Sequence, residues 1–83
     1  MKIFFVDYDL RGDRDYQTLY DELNRLNGIR VLESLWSLKL SDSTNCKALR
    51  DHLLQFMDND DGLIVSEVKA YAWHNVDNKP HSF

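Results

Sequence analysis

Lys2-Ile3-Phe4-Phe5-Val6-Asp7-Tyr8-Asp9 decides the fold, because it is the most strand-like stretch of the chain. Successive side chains of a pleated strand point to opposite faces. Phe4, Val6, Tyr8 and the following Leu10 therefore share one almost wholly apolar face. Ile3, Phe5, Asp7 and Asp9 share the other, which begins apolar and ends in two carboxylates. Carboxylates two residues apart on a strand stand roughly 6.5–7 Å from each other, within reach of one shared ion or water network. The plainer reading is a pair of solvated aspartates at a strand end, where turns favour Asp.

Outward from Asp9, Leu10-Arg11-Gly12-Asp13-Arg14 reads as a polar loop. Tyr16, Leu19, Tyr20, Leu23 and Leu26 then recur at helical spacing, with Asp13 or Asp15 placed to cap the start and Asn27-Gly28 to stop the helix. From Ile29 to Leu40 the pattern alternates as a strand does, but twelve residues are long for one strand. A hairpin or bulge near Glu33–Leu35 is expected to divide it. Ser41-Asp42-Ser43-Thr44 offers caps for a second helix, whose apolar stripe is Cys46, Leu49, Leu53, Phe56 and Met57. Asp58-Asn59-Asp60-Asp61-Gly62 is a turn, and its glycine and following residues do not fit a calcium-binding EF-hand loop. Leu63–Val68 reads as a final buried strand, extendable through Tyr71 and Trp73. Asp77–Phe83 reads as a flexible polar tail.

The order strand, helix, strand, strand, helix, strand predicts a ferredoxin-like α+β sandwich over residues 1–76, with 77–83 as its tail. In that layout two helices cover one face of a four-stranded antiparallel sheet. Ile3 and Phe5 on the opposite face then need another surface, which a homodimer joined through its sheets would supply.

Composition sets limits on this small domain. At 43% hydrophobic and 29% charged residues, it matches soluble globular proteins. A chain of 83 residues makes a thin core, burying about 60% of the surface it exposes when unfolded. Its single cysteine, Cys46, excludes an internal disulfide, and it reads as a small core residue rather than a nucleophile. No apolar run is long enough for a membrane span or a signal peptide, so the expected location is the cytoplasm. A net charge of −4 with scattered basic residues argues against tight binding to duplex DNA, although Arg11 and Arg14 offer a local phosphate contact. His52, His74 and His81 lack metal-ligand spacing, and the first reads as a surface residue. Trp36 reads as core, and Trp73 is left open.

Three segments carry a family resemblance. Val6-Asp7-Tyr8-Asp9-Leu10, Arg30-Val31-Leu32-Glu33-Ser34-Leu35-Trp36 and Asp58-Asn59-Asp60-Asp61 before a Leu-Ile-Val strand resemble the small CRISPR-associated adaptation protein (Cas-two) superfamily. That grouping includes an uncharacterised branch without CRISPR linkage and the virulence-associated protein D-like folds. The resemblance implies a homodimer in which Asp9 of each subunit meets near the two-fold axis. In nuclease members that pair is proposed to hold magnesium, with Ser34 at the family's serine position and Trp36 at its aromatic one. The family's glutamine position is Leu32 here.

Two functional expectations follow. In one, the chain is a non-catalytic interaction module, either an adaptor docked on a larger protein or an acidic inhibitor of a nucleic-acid-processing or defence complex. The alternative is a metal-dependent endonuclease acting on RNA or DNA. There Asp9 and Ser34 are the catalytic candidates, Asp9 and Asp7 hold Mg2+, and Arg11 and Arg14 contact phosphate.

Overall fold

The computed structural model describes residues Met1–Phe83 and places the opening strand, β1 (Lys2–Asp9), in the interior of the sheet. Its antiparallel neighbours are β3 (Leu35–Leu40) on one side and β4 (Gly62–Val68) on the other. β2 (Ile29–Leu32) pairs with β3, so the sheet order is β2-β3-β1-β4. Helices α1 (Gln17–Arg25) and α2 (Cys46–Leu54) complete the expected βαββαβ order. The four-stranded antiparallel sheet with two helices is the ferredoxin-like α+β arrangement.

Alternation along β1 sets the layers. Phe4, Val6 and Tyr8 are buried and pack with Trp36 and Leu38 of β3, Leu19 and Leu23 of α1, and Leu49 and Leu53 of α2. In register, Phe4 faces Leu38 and Val6 faces Trp36. The apolar face read from the sequence is therefore the core face, and Trp36 belongs to it. No helix is long and apolar enough to cross a membrane.

The helix ends differ from the reading in detail. α1 begins one residue past Tyr16, which takes a left-handed conformation at φ 56° and supplies no side-chain cap. Asp15 contributes through its carboxylate, which accepts from the Gln17 amide at 3.1 Å. At the other end Asn27 adopts φ 58° and the Gly28 amide bonds back to the Leu23 carbonyl at 2.8 Å. This is the expected stop signal. A Cβ on Gly28 would press on that carbonyl, Leu38 and Trp36, so the glycine permits close approach rather than a special φ. α2 is capped by Asn45, whose side-chain oxygen accepts from the Ala48 amide at 2.8 Å. Ser41–Thr44 instead form a hydrogen-bonded turn one residue earlier.

The hairpin falls where expected. Glu33 and Ser34 turn between β2 and β3, with Leu32 opposite Leu35. No Asn-Gly pair is needed because other elements hold the turn. Arg30 Nε and Nη2 both donate to the Glu33 carbonyl, Tyr8 Oη donates to it, and the Tyr8 amide donates to Ser34.

Two expectations about the C-terminal quarter are corrected. β4 is a half-exposed edge strand rather than a buried one, since only β1 flanks it and Ile64 is 62% exposed. It ends at Val68 and does not extend through Trp73. Residues 69–83 form neither helix nor strand and lie back on the sheet. Where the sequence led us to expect a mobile polar end at 77–83, the Asp77 amide bonds to Val31, Asn78 to Arg30, His81 to Ser37, and Lys39 reaches Ser82. Tyr71 packs its ring against Phe5 and Phe83. Ile3, on the face expected to need a second subunit, is 1% exposed within one chain.

Candidate functional site

At the C-terminal end of β1 the strand and two loops form a cleft of about 440 Å3. Tyr8, Asp9, Arg14, Tyr16, Tyr20 and Arg30 line it, with Ser34 at its margin. Strand geometry delivers the acidic residues. β1 runs out of core at Asp9, opposite Gly62, where no side chain from β4 crowds the carboxylate. Asp7 pairs with Ile64 on one side and Leu35 on the other.

The expected site residues come together, and most are already engaged. Asp9 Oδ2 accepts from Arg11 Nε and Nη2, each at 3.1 Å. Arg11 also donates Nη1 to the Asp60 carbonyl and its amide to Asp61. Arg14 donates to the Asp58 carboxylate and the Phe56 carbonyl while lying over the Tyr16 ring. The two arginines read as phosphate contacts thus spend their donors within the molecule, Arg11 on Asp9 and the turn between α2 and β4, and Arg14 on that turn alone. Ser34 Oγ reaches Asp7 Oδ1 at 3.4 Å, a long contact, and not Asp9.

A tyrosine and a carboxylate hold this end of the molecule together. Tyr16 Oη donates to Asp61 Oδ1 at 2.7 Å and accepts from the Gly12 amide at 2.7 Å. The same Asp61 accepts from the amides of Arg11, Gly12 and Asp58. Burial pushes the Asp61 carboxyl up, but those amides and the tyrosine hydroxyl outweigh it, and its pKa falls below the ordinary value. Burial, followed by the bond to Asp61, pushes the Tyr16 phenol up to about 12. A left-handed conformation is costly for a bulky side chain. Tyr16 accepts it, and its hydroxyl thereby joins two loops 45 residues apart in the chain.

Arg30, Tyr8 and Tyr20 were missed as site residues. The Arg30 guanidinium lies 4.8 Å over the Tyr20 ring and 5.8 Å over Trp36. Trp36 Nε1 donates to Tyr8 Oη, which positions the tyrosine at the cleft floor. An arginine inside an otherwise apolar strand segment was the available signal, and it opens one of the segments quoted above.

Magnesium takes near-octahedral oxygen coordination, usually with one or two carboxylates and several waters. In one chain Asp9 is paired with Arg11, Asp7 faces Ser34, and no group of three or more His, Cys, Asp or Glu side chains gathers to hold a metal ion. A site shared between two copies would need the Asp9 carboxylate released from Arg11.

Fold, strand-end aspartate and spacing agree with one family comparison. The family model described as CRISPR associated protein Cas2 matches residues 1–76 of the 83, nearly the whole chain, and the protein belongs to that family.

Proposed function

We propose that this chain acts as a non-catalytic interaction module, a small cytoplasmic homodimer that serves as an adaptor within a CRISPR-associated or related defence complex. One observation carries the reading. Asp9, the residue a catalytic metal would need, is neutralised by a two-pronged contact from Arg11 of the same chain. The half-exposed edge strand β4, with Ile64 outward, is a suitable place for a larger protein to add a strand. The net charge of −4 supports a protein partner ahead of bare nucleic acid.

The cleft itself favours a second reading, a metal-dependent endonuclease. Asp9 shares that cleft with Arg14, Arg30 and stacking-capable Tyr20. Asp9 of two copies would hold Mg2+, which would supply charge stabilisation for a phosphoryl group, with Ser34 and Arg11 as the polar side chains of the same strand end. Wild type and Asp9→Ala, each checked as a folded dimer by light scattering, should be incubated with single-stranded RNA, single-stranded DNA and duplex DNA. Magnesium, manganese or chelator is added to separate samples. Absence of cleavage in every sample is the expected result. Metal-dependent cleavage by wild type that Asp9→Ala abolishes would overturn the module reading in favour of the nuclease.

A further inference from the structure

Ser37, in the middle of β3, carries a hydroxyl on the open face of the sheet and is wholly buried. Its burial is due to the chain's own end. Ser37 Oγ accepts from the His81 amide at 3.1 Å and lies 2.8 Å from His81 Nδ1. Around that pair, Tyr71 Oη donates to the His81 carbonyl and Lys39 Nζ donates to the Ser82 carbonyl at 2.7 Å. The Tyr71 ring in turn packs against the rings of Phe5 and Phe83. We propose that His81 is a pH-sensitive latch, which holds residues 71–83 across the open face of the sheet while its imidazole is neutral and releases them on protonation.

The hydrogen-bond inventory is consistent with this direction. Ser37 Oγ accepts from the His81 amide and can donate its own hydrogen to Nδ1, a pairing that uses the neutral imidazole with its proton on Nε2. Protonation places a second hydrogen on Nδ1, aimed at the hydroxyl hydrogen of Ser37. The serine must turn that hydrogen toward another acceptor in a place sealed from water, which is costly. The titratable groups facing His81 are Lys39 on β3 and Tyr71 in the segment after β4, and no carboxylate forms an ion pair with it. Burial, then the Lys39 charge, moves the imidazole below its ordinary 6.5, while the Asn27 carbonyl opposes them. A docked pKa below the free one means that docking is fully favoured above about 6.5 and weakens as pH falls through it. Release would uncover Phe5 and Ser37. The latch belongs to one chain, and its test does not depend on whether the protein is an adaptor or a nuclease.

The experiment is an NMR titration of the whole chain between roughly pH 5 and 8. The His81 ring is expected to titrate below the ordinary 6.5, and the Phe5, Tyr71 and Phe83 ring signals to shift with the His81 midpoint. Buried Leu38 and Trp36 should stay still. His81→Asn offers a non-titrating acceptor near the Nδ1 position, so its tail signals should remain docked across the range. Ser37→Ala should move the His81 midpoint up toward the ordinary 6.5. His81 titrating at or above the ordinary 6.5 in wild type, or tail signals that ignore its midpoint, would overturn the proposal. So would unchanged pH dependence in His81→Asn.

Discussion

His52 of α2 donates its Nε2–H to the carboxylate of Glu22 in α1, and that contact bridges the two helices. Glu22 is only 7% exposed and also receives a forked pair of bonds from Arg25, one turn further along α1. The Arg25 bonds come first in holding the Glu22 carboxyl down to about 2, with His52 adding to them against the opposing effect of burial. His52, read as a surface residue, is half-exposed, and its ring edge meets Phe56.

Glu22→Gln keeps the shape and removes the charge. At neutral pH the variant is expected to be less stable by about 1.5 kcal/mol, the low end for bonds to charged groups because Arg25 is mostly exposed. A folded pKa near 2 against an ordinary 4.5 gives stabilisation that is complete above about 4.5 and lost as pH falls toward 2. Urea melts of both proteins across that window should therefore converge. Equal stability at neutral pH would remove the helix-bridging role.

Gly12→Ala tests the loop junction. A Cβ at that position would collide with the Asp58 carboxylate and the Tyr16 hydroxyl, both held by other bonds. Overpacking of this kind costs roughly 1–3 kcal/mol. Thermal melts should show the loss, and the Arg14–Asp58 contact should be disturbed with it.

Tyr16→Phe removes the hydroxyl shared by Gly12 and Asp61. An alkaline ultraviolet titration of wild type should contain a tyrosine that ionises at about 12, which the variant lacks. A wild-type titration in which every tyrosine ionises near 10 would contradict the buried pairing with Asp61.

Arg11→Ala frees the Asp9 carboxylate. Both side chains are more than half exposed, so the pair is worth no more than about 1 kcal/mol. Manganese affinity, measured by calorimetry on the dimer, is expected to rise by up to about fivefold over wild type, the ratio that 1 kcal/mol implies. An unchanged affinity would mean that Arg11 does not guard Asp9. The Arg11 amide bond to Asp61 survives the substitution, so the loop should stay in place.

Much of the fold was legible because it depends on local periodicity. The alternation of Lys2–Asp9 alone predicted that Phe4, Val6 and Tyr8 would line the core, and they do. Helical spacing marked both helices, and Asn27-Gly28 marked a true stop. The candidate site was legible only as a location. Sequence placed Asp9, Arg11 and Arg14 near one another, but charge order along a chain does not say which carboxylate each arginine meets. Arg14 meets Asp58, which lies 44 residues on, and Arg30 enters the cleft from the neighbouring hairpin.

What the sequence determined by itself is the order of elements, the two faces of the first strand and the acidic end of that strand. These follow from the pleat and the helix turn, which act between near neighbours. Only the tertiary structure decided that Asp9 is held by Arg11 and that Glu22 bridges the helices. It also brought the polar-looking end of the chain over Phe5 and Ser37. Those outcomes depend on hydrogen bonds and ring contacts between residues tens of positions apart, whose partners become neighbours only after the sheet has formed.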